Sequence, residues 1–143
     1  MDVVDSLNKL LANTFTLYLK THFYHWNVTG IHFPQLHSLF ETQYTELWES
    51  VDTIAERIRA LKGTAIGTLS KIYQISTIDE SDDVPEWKTM VTNLVADREA
   101  ASEECKQLFK LATDAKDDTT ANFMLELSMA HDKAAWMLRS IIE

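Results

Sequence analysis

His25, His37, Glu41, Asp52 and Glu56 fall within one short region and have the donor types and spacing of a metal-binding chemistry. Imidazole combined with carboxylate suits iron, zinc or manganese. His37 with Glu41, and Asp52 with Glu56, are each four residues apart, so on a helix each pair projects from one face and can approach a single ion. The two pairs are separated by fifteen residues, roughly 22 Å along a helix at 1.5 Å per residue, which is too far for one chain to close both around one ion. Two copies of such a helix, antiparallel about a two-fold axis near residues 44–48, would bring His37 and Glu41 of one chain to Asp52 and Glu56 of the other. Tyr44 and Trp48 would then pack the seam. Solvated acids on an ordinary amphipathic helix, with a hydrogen-bonded histidine near the core, produce the same spacing, and periodicity alone leaves both readings open. The inward-facing Glu-x-x-His pattern of metal sites inside a single bundle is absent, which moves any metal to a boundary between subunits.

Long helices are needed to carry these groups, and the sequence supplies them. Val3, Val4, Leu7, Leu10, Leu11, Phe15, Tyr18 and Leu19 recur at three- and four-residue steps, predicting a helix from about residue 2 to 28. "NVTGIHFP" breaks it. Pro34 suits the first turn of a second helix, about 34 to 62, and Gly63 suits the position just past its end. On that helix Phe40, Leu47, Val51, Ile54, Ile58 and Leu61 form the core arc, and Glu41, Asp52 and Glu56 lie on the neighbouring arc with Tyr44 and Trp48. The segment from Gly63 to Val84 reads as a long crossover with a short helix over "LSKIYQI". "SDDVPEW" predicts a helix start capped by Asp82 or Asp83 with Pro85 in the first turn, running to about Ala112. After "DAKDD", Asp117 or Asp118 can cap a last helix with Phe123, Leu127, Ala130, Ala134, Met137, Leu138 and Ile141 inward. Four long helices with short, long and short connections make an all-α, ferritin-like four-helix bundle with a crossover between helices two and three, one domain over residues 1–143.

Composition agrees with that class. Three glycines and two prolines among 143 residues are too few for a many-turned β protein, and 45% hydrophobic residues suffice for one core. The formal charge of −9 disfavours a nucleic-acid surface and favours cations. The single cysteine, Cys105, excludes an intrachain disulfide and a cysteine zinc cluster, and the acidic start "MDVVDSLNKL" and lack of a long apolar run predict a cytoplasmic protein without a membrane segment.

The stretch "YLKTHFYHWNVTGIHFPQLHSLFETQYTELWESVDTIAERIRALKG" resembles the signature region of the Dps family, the mini-ferritins. His25, His37, Glu41, Asp52 and Glu56 match its metal-site pattern position by position, as do the "HW" pair and "AERIRALKG". The resemblance extends from about residue 5 to 143 and includes "AKDDTTANFMLELSMAHDKAAWMLRS". It implies a hollow homododecamer with ferroxidase sites at two-fold interfaces, two histidines coming from one chain and the Asp and Glu from its partner. His25, His37, Asp52 and Glu56 would hold Fe(II), Glu41 would serve a second, weaker iron, and zinc is an alternative occupant. Hydrogen peroxide would be the oxidant, and Fe(III) would mineralise in an acidic cavity where Glu46 and Glu49 can nucleate it, protecting against oxidative stress.

Family members that bind DNA commonly carry a lysine-rich tail. Here Lys9 is already inside the first helix and "RSIIE" ends the chain, so direct DNA binding is not expected. The resemblance places iron access near the last helix link, where Asp114, Asp117 and Asp118 are either pore acids or helix caps. Trp26 and Trp48 are oxidisable buffers near iron or plain packing. His22, one turn before His25, is read as exposed or as a residue supporting the metal ligands from behind, His32 as part of the turn before Pro34, His131 as having no metal role, and Cys105 as a small buried residue or a redox group. Met90, Met124, Met129 and Met137 are read as core filler.

Overall fold

A computed structural model describes residues 1–143. Four long helices, α1 (Val3–Asn27), α2 (Phe33–Ala60), α4 (Trp87–Asp114) and α5 (Asp118–Ile142), form the bundle, and α3 (Leu69–Ile75) lies in the crossover. There are no strands, and no helix is long and apolar enough to cross a membrane. The hairpins α1–α2 and α4–α5 each pack closely on themselves and meet chiefly through α1 and α4. Two buried layers fill the interior: Leu17, Tyr24, Phe40, Leu47, Leu94 and Leu138 toward one end, Leu7, Leu10, Ile54, Ile58, Cys105 and Met124 toward the other. The core arc expected on α2 is the buried one, Phe40, Leu47, Ile54 and Ile58 fully and Val51 and Leu61 in part.

The helix ends differ from expectation in instructive ways. Past α2 the left-handed position belongs to Lys62, at φ +69°, not to Gly63. Gly63 donates back to the carbonyl of Ile58 at 3.0 Å, closing the helix end. Its need for glycine is space, since a Cβ there would lie 2.6 Å from Cγ1 of Val4 on α1. The fourth helix begins at Trp87 with Glu86 at the cap position, later than Asp82 or Asp83. Val84, immediately before Pro85, is disfavoured from helical backbone by the proline ring, so the helix starts after the proline. At α5 the cap is Asp117, whose side chain accepts from the Thr120 N–H.

On α5 the inward face is Thr120, Ala121, Met124, Leu127, Ser128, His131, Ala134, Ala135 and Leu138. Ala130 is exposed, as are Met129 at 71% and Met137 at 38%, so these three are not core residues. The polar members Ser128 and His131 take the interior because both are satisfied there: the Ser128 hydroxyl donates to the Leu125 carbonyl of its own helix at 2.8 Å, and Arg98 of α4 donates to His131.

The crossover is fixed by side chains of α1 that supply backbone-like hydrogen bonds. Asn8 donates to the Thr64 carbonyl and accepts from the Ile66 N–H, both at 3.0 Å. Buried Asn13 accepts from the Thr77 N–H at 2.7 Å and donates to Glu104 at 2.9 Å. Lys20 donates to the Asp79 carbonyl at 2.6 Å and pairs with Asp97 at 2.8 Å. These three points, spread along α1, carry the chain from one hairpin to the other and leave α3, with no buried residue, lying on α1.

Candidate metal centre

His25 stands in the last turns of α1 and His37 in the second turn of α2. The turn between them, with Gly30 at φ +110°, folds the two helices antiparallel so that the imidazoles face each other. Each ring is held by the other residue's backbone. His25 Nδ1 lies 2.7 Å from the His37 carbonyl oxygen, and His37 Nδ1 lies 2.8 Å from that of His25. A carbonyl only accepts, so each Nδ1 carries a proton and each Nε2 is the ring nitrogen that remains for a metal. The rings stack at 3.8 Å with 14° between planes, and Phe33 stacks on the outer side of His37 at 4.9 Å. His25 is buried and His37 half-buried, so neither swings freely. Glu41, one turn after His37, is exposed and its carboxylate reaches 3.9 Å from His25 Nε2. Two imidazole nitrogens and a carboxylate therefore share one edge of the α1–α2 hairpin.

Asp52 and Glu56 do not join them. Both are exposed on α2, about four to five turns beyond His37 along the same helix, roughly 22 Å from it for Asp52 and roughly 28 Å for Glu56 at 1.5 Å per residue. Within one chain no three His, Cys, Asp or Glu side chains converge on a metal-sized point. Between the two halves the helix presents Tyr44, half-buried, and Trp48, 55% exposed. The indole rests on the Tyr18 ring at 5.0 Å.

Other residues singled out from the sequence resolve as follows. His22 is half-buried, not exposed: its ring lies flat on Tyr44 at 3.8 Å, and its Nδ1 meets the Tyr18 hydroxyl at 3.0 Å. Burial, then the neighbouring His25, lower its pKa. The i, i+4 spacing of Tyr18 and His22 was the available signal for that pair. His32 occupies the cap position of α2 and its ring meets Trp87 edge-on at 4.6 Å. Asp117 is spent on Thr120 and on Arg57, whose Nη2 is 3.3 Å away; those hydrogen bonds and the guanidinium hold its carboxyl below the usual range despite burial. Asp114 and Asp118 remain exposed at the α4–α5 link. Cys105 is fully buried, and burial pushes its thiol up to about 12.

A pair that sequence reasoning did not find sits between α4 and α5. Arg98 and His131 are both buried, and the guanidinium donates to His131 Nδ1 at 3.0 Å. Burial and then the adjacent guanidinium push His131 down to about 3, so it is neutral, and burial pulls Arg98 down to about 10, so it stays charged.

Comparison with known proteins gives the wider setting. The family model of the ferritin-like domain matches residues 4–143. A low temperature-induced protein of Nostoc is 41% identical over 143 residues, covering 99% of this chain and 80% of that protein. The crystal structure of a Dps protein from Bacillus brevis superposes with a TM-score of 0.96 at 35% identity, covering 99% of this chain and 95% of that one. A Dps protein from Vibrio cholerae, described as a member of a broad superfamily of ferritin-like diiron-carboxylate proteins, superposes with a TM-score of 0.95 at 30% identity, over 99% and 89% of the two chains.

Proposed function

The chain belongs to the Dps family of ferritin-like proteins, and from that premise we propose that it is a ferroxidase and iron-storage mini-ferritin. Its substrates are Fe(II) and hydrogen peroxide, and its working form is a dodecameric shell in the cytoplasm that holds the Fe(III) product as mineral and limits oxidative damage. The observation that carries this reading is the reciprocal Nδ1-to-carbonyl locking of His25 and His37, which frees both Nε2 atoms while leaving the half-site short of ligands. Asp52 and Glu56 of the partner subunit complete it across a two-fold seam built on Tyr44 and Trp48. Glu41 serves a second, weaker iron. Imidazoles already locked by their Nδ1 atoms need no reorientation to accept Fe(II), and carboxylates from the partner supply the negative charge that stabilises Fe(III) over Fe(II). Two Fe(II) ions deliver two electrons to one peroxide, giving water without hydroxyl radical. Zinc, which accepts the same nitrogen and oxygen donors, is a competitive occupant. With −9 per chain, the shell repels duplex phosphates, and direct DNA binding forms no part of the function.

The test is anaerobic loading with Fe(II) followed by hydrogen peroxide, reading Fe(III) absorbance with a radical trap present, in wild type and in Asp52→Ala. Fast oxidation with little trapped radical, lost in the variant, is expected. Oxidation no faster than that of free iron refutes the reading. Mixing His37→Ala with Asp52→Ala chains should restore one intact site per mixed dimer, whereas no recovery would mean the ligands come from a single chain.

A further inference from the structure

The interior of the bundle holds a charge that no other part of the fold balances. Arg98 is 3% exposed, and its neighbours along α4 are Leu94 and Ala101 of one apolar layer and Cys105 of the other. Its Nη1 donates to His131 Nδ1 at 3.0 Å, and its Nη2, also buried, has no protein partner. Accepting at Nδ1 places the proton of the neutral imidazole on Nε2, so the ring beside the guanidinium brings no negative charge and is itself a donor on its far side. No carboxylate lies within ion-pair distance of Arg98. The acids that act on it from farther away are Glu46, exposed on α2, and Asp97, engaged by Lys20 at 2.8 Å. The nearest hydroxyl along α4, that of Ser102, is turned to the Ser128 carbonyl and to Asp132.

Taking a cation out of water without a counter-charge costs far more than leaving a hydrogen bond unmade, and buried ions in folded proteins are paired. A water at Nη2 would satisfy the hydrogen bond and leave the charge. We propose that Arg98 Nη2 binds a small monovalent anion of the halide class, such as chloride, which serves as the counter-ion of the bundle interior. One free nitrogen suits a monatomic ligand. Carboxylates and phosphates are gripped by a guanidinium through two parallel N–H groups, and here Nη1 is committed to His131. The net charge of −9 on the chain also works against a multiply charged anion more than against a monovalent one. Because the unfolded chain has no such site, binding adds to the stability of the fold by mass action, and that stability then depends on halide concentration. The inference stands apart from the ferroxidase reading, since none of the proposed iron ligands takes part in it.

The experiment uses the assembled, iron-free protein. Thermal unfolding is followed as sodium chloride replaces sodium gluconate at constant pH and ionic strength, in wild type and in the double variant Arg98→Met with His131→Leu, which removes the guanidinium without stranding the imidazole. In parallel, crystals of wild type grown in sodium bromide are measured at the bromine absorption edge. The wild-type midpoint should rise by about 3–5 °C to a plateau as chloride saturates the site. The double variant should show no rise, and bromide should give an anomalous peak within hydrogen-bond distance of Arg98 Nη2. A midpoint that rises equally in both proteins, or that stays flat in wild type, overturns the proposal. Density at Nη2 without anomalous signal assigns the position to water and overturns it too, as does a Glu46 carboxylate turned in to the guanidinium. The crystal measurement needs only wild type, so it decides the question even where the double variant fails to fold.

Discussion

Arg98 donates a hydrogen bond to His131 Nδ1 at 3.0 Å in the interior between α4 and α5, and no carboxylate pairs with that guanidinium. A buried cation beside an imidazole makes acid the enemy of the fold. His131 is pushed down to about 3 in the folded protein from an ordinary 6.5. The unfolded chain therefore binds more protons between those values, so the contribution of His131 is fully present above about pH 6.5 and is lost as pH falls toward 3. The slope is at most about 1.4 kcal/mol per pH unit for one proton. Urea unfolding with chelator present should show wild type losing stability between pH 7.5 and pH 5, and His131→Gln losing clearly less. Replacing Arg98 alone by Met leaves His131 Nδ1 without a donor and should cost about 1–3 kcal/mol. Arg98→Met with His131→Leu should cost less than the two single changes added together, because no polar group is then stranded.

Asn13 holds the crossover through Thr77 and also donates to Glu104, a carboxyl that burial pushes above its usual range. A raised carboxyl pKa means the ionised form is disfavoured in the fold, so this group lowers stability at neutral pH and the cost fades as pH falls. Glu104→Gln keeps an oxygen for Asn13 and removes the buried charge, so its thermal midpoint at pH 7 should equal or exceed that of wild type, with the gain shrinking at pH 5. Asn13→Ala strands the Thr77 N–H and should lower stability by about 2 kcal/mol or more. Calorimetry on the two variants at both pH values reads the difference.

Gly63→Ala places a methyl 2.6 Å from Val4 Cγ1 and 3.2 Å from Ile58 Cγ2. Overpacking of this kind costs about 1–3 kcal/mol. Val4→Ala removes the nearer atom, so the double variant should recover part of the loss in denaturant midpoint. Additive losses would place the cost elsewhere than in this contact.

Trp48 is 55% exposed and rests on Tyr18, at the middle of the proposed seam. Trp48→Glu puts two like charges near the two-fold axis, which should convert the assembly to smaller species by sedimentation while the helical circular dichroism of the chain is unchanged. Anaerobic Fe(II) affinity should fall in step, since separated chains keep only half of each site. An intact shell would show that the seam does not pass through Trp48.

The sequence by itself determined the helices and most of the core, because these follow from local periodicity. Apolar steps of three and four residues placed α1, α2 and α5 within about two residues of their ends, and "LSKIYQI" is α3. The same periodicity showed that His37 and Asp52 lie too far apart for one site. It also assigned Met129, Ala130 and Met137 to a core that instead contains Ser128 and His131, because a side chain's polarity carries no record of the partner that satisfies it. Tertiary structure alone decided how His25 and His37 lock each other's rings, how Gly63 makes room for Val4, and how the His22 ring comes to lie flat on Tyr44. Each of these depends on distances and ring orientations set only when helices pack, and packing is a property of pairs of surfaces that no single stretch of sequence contains.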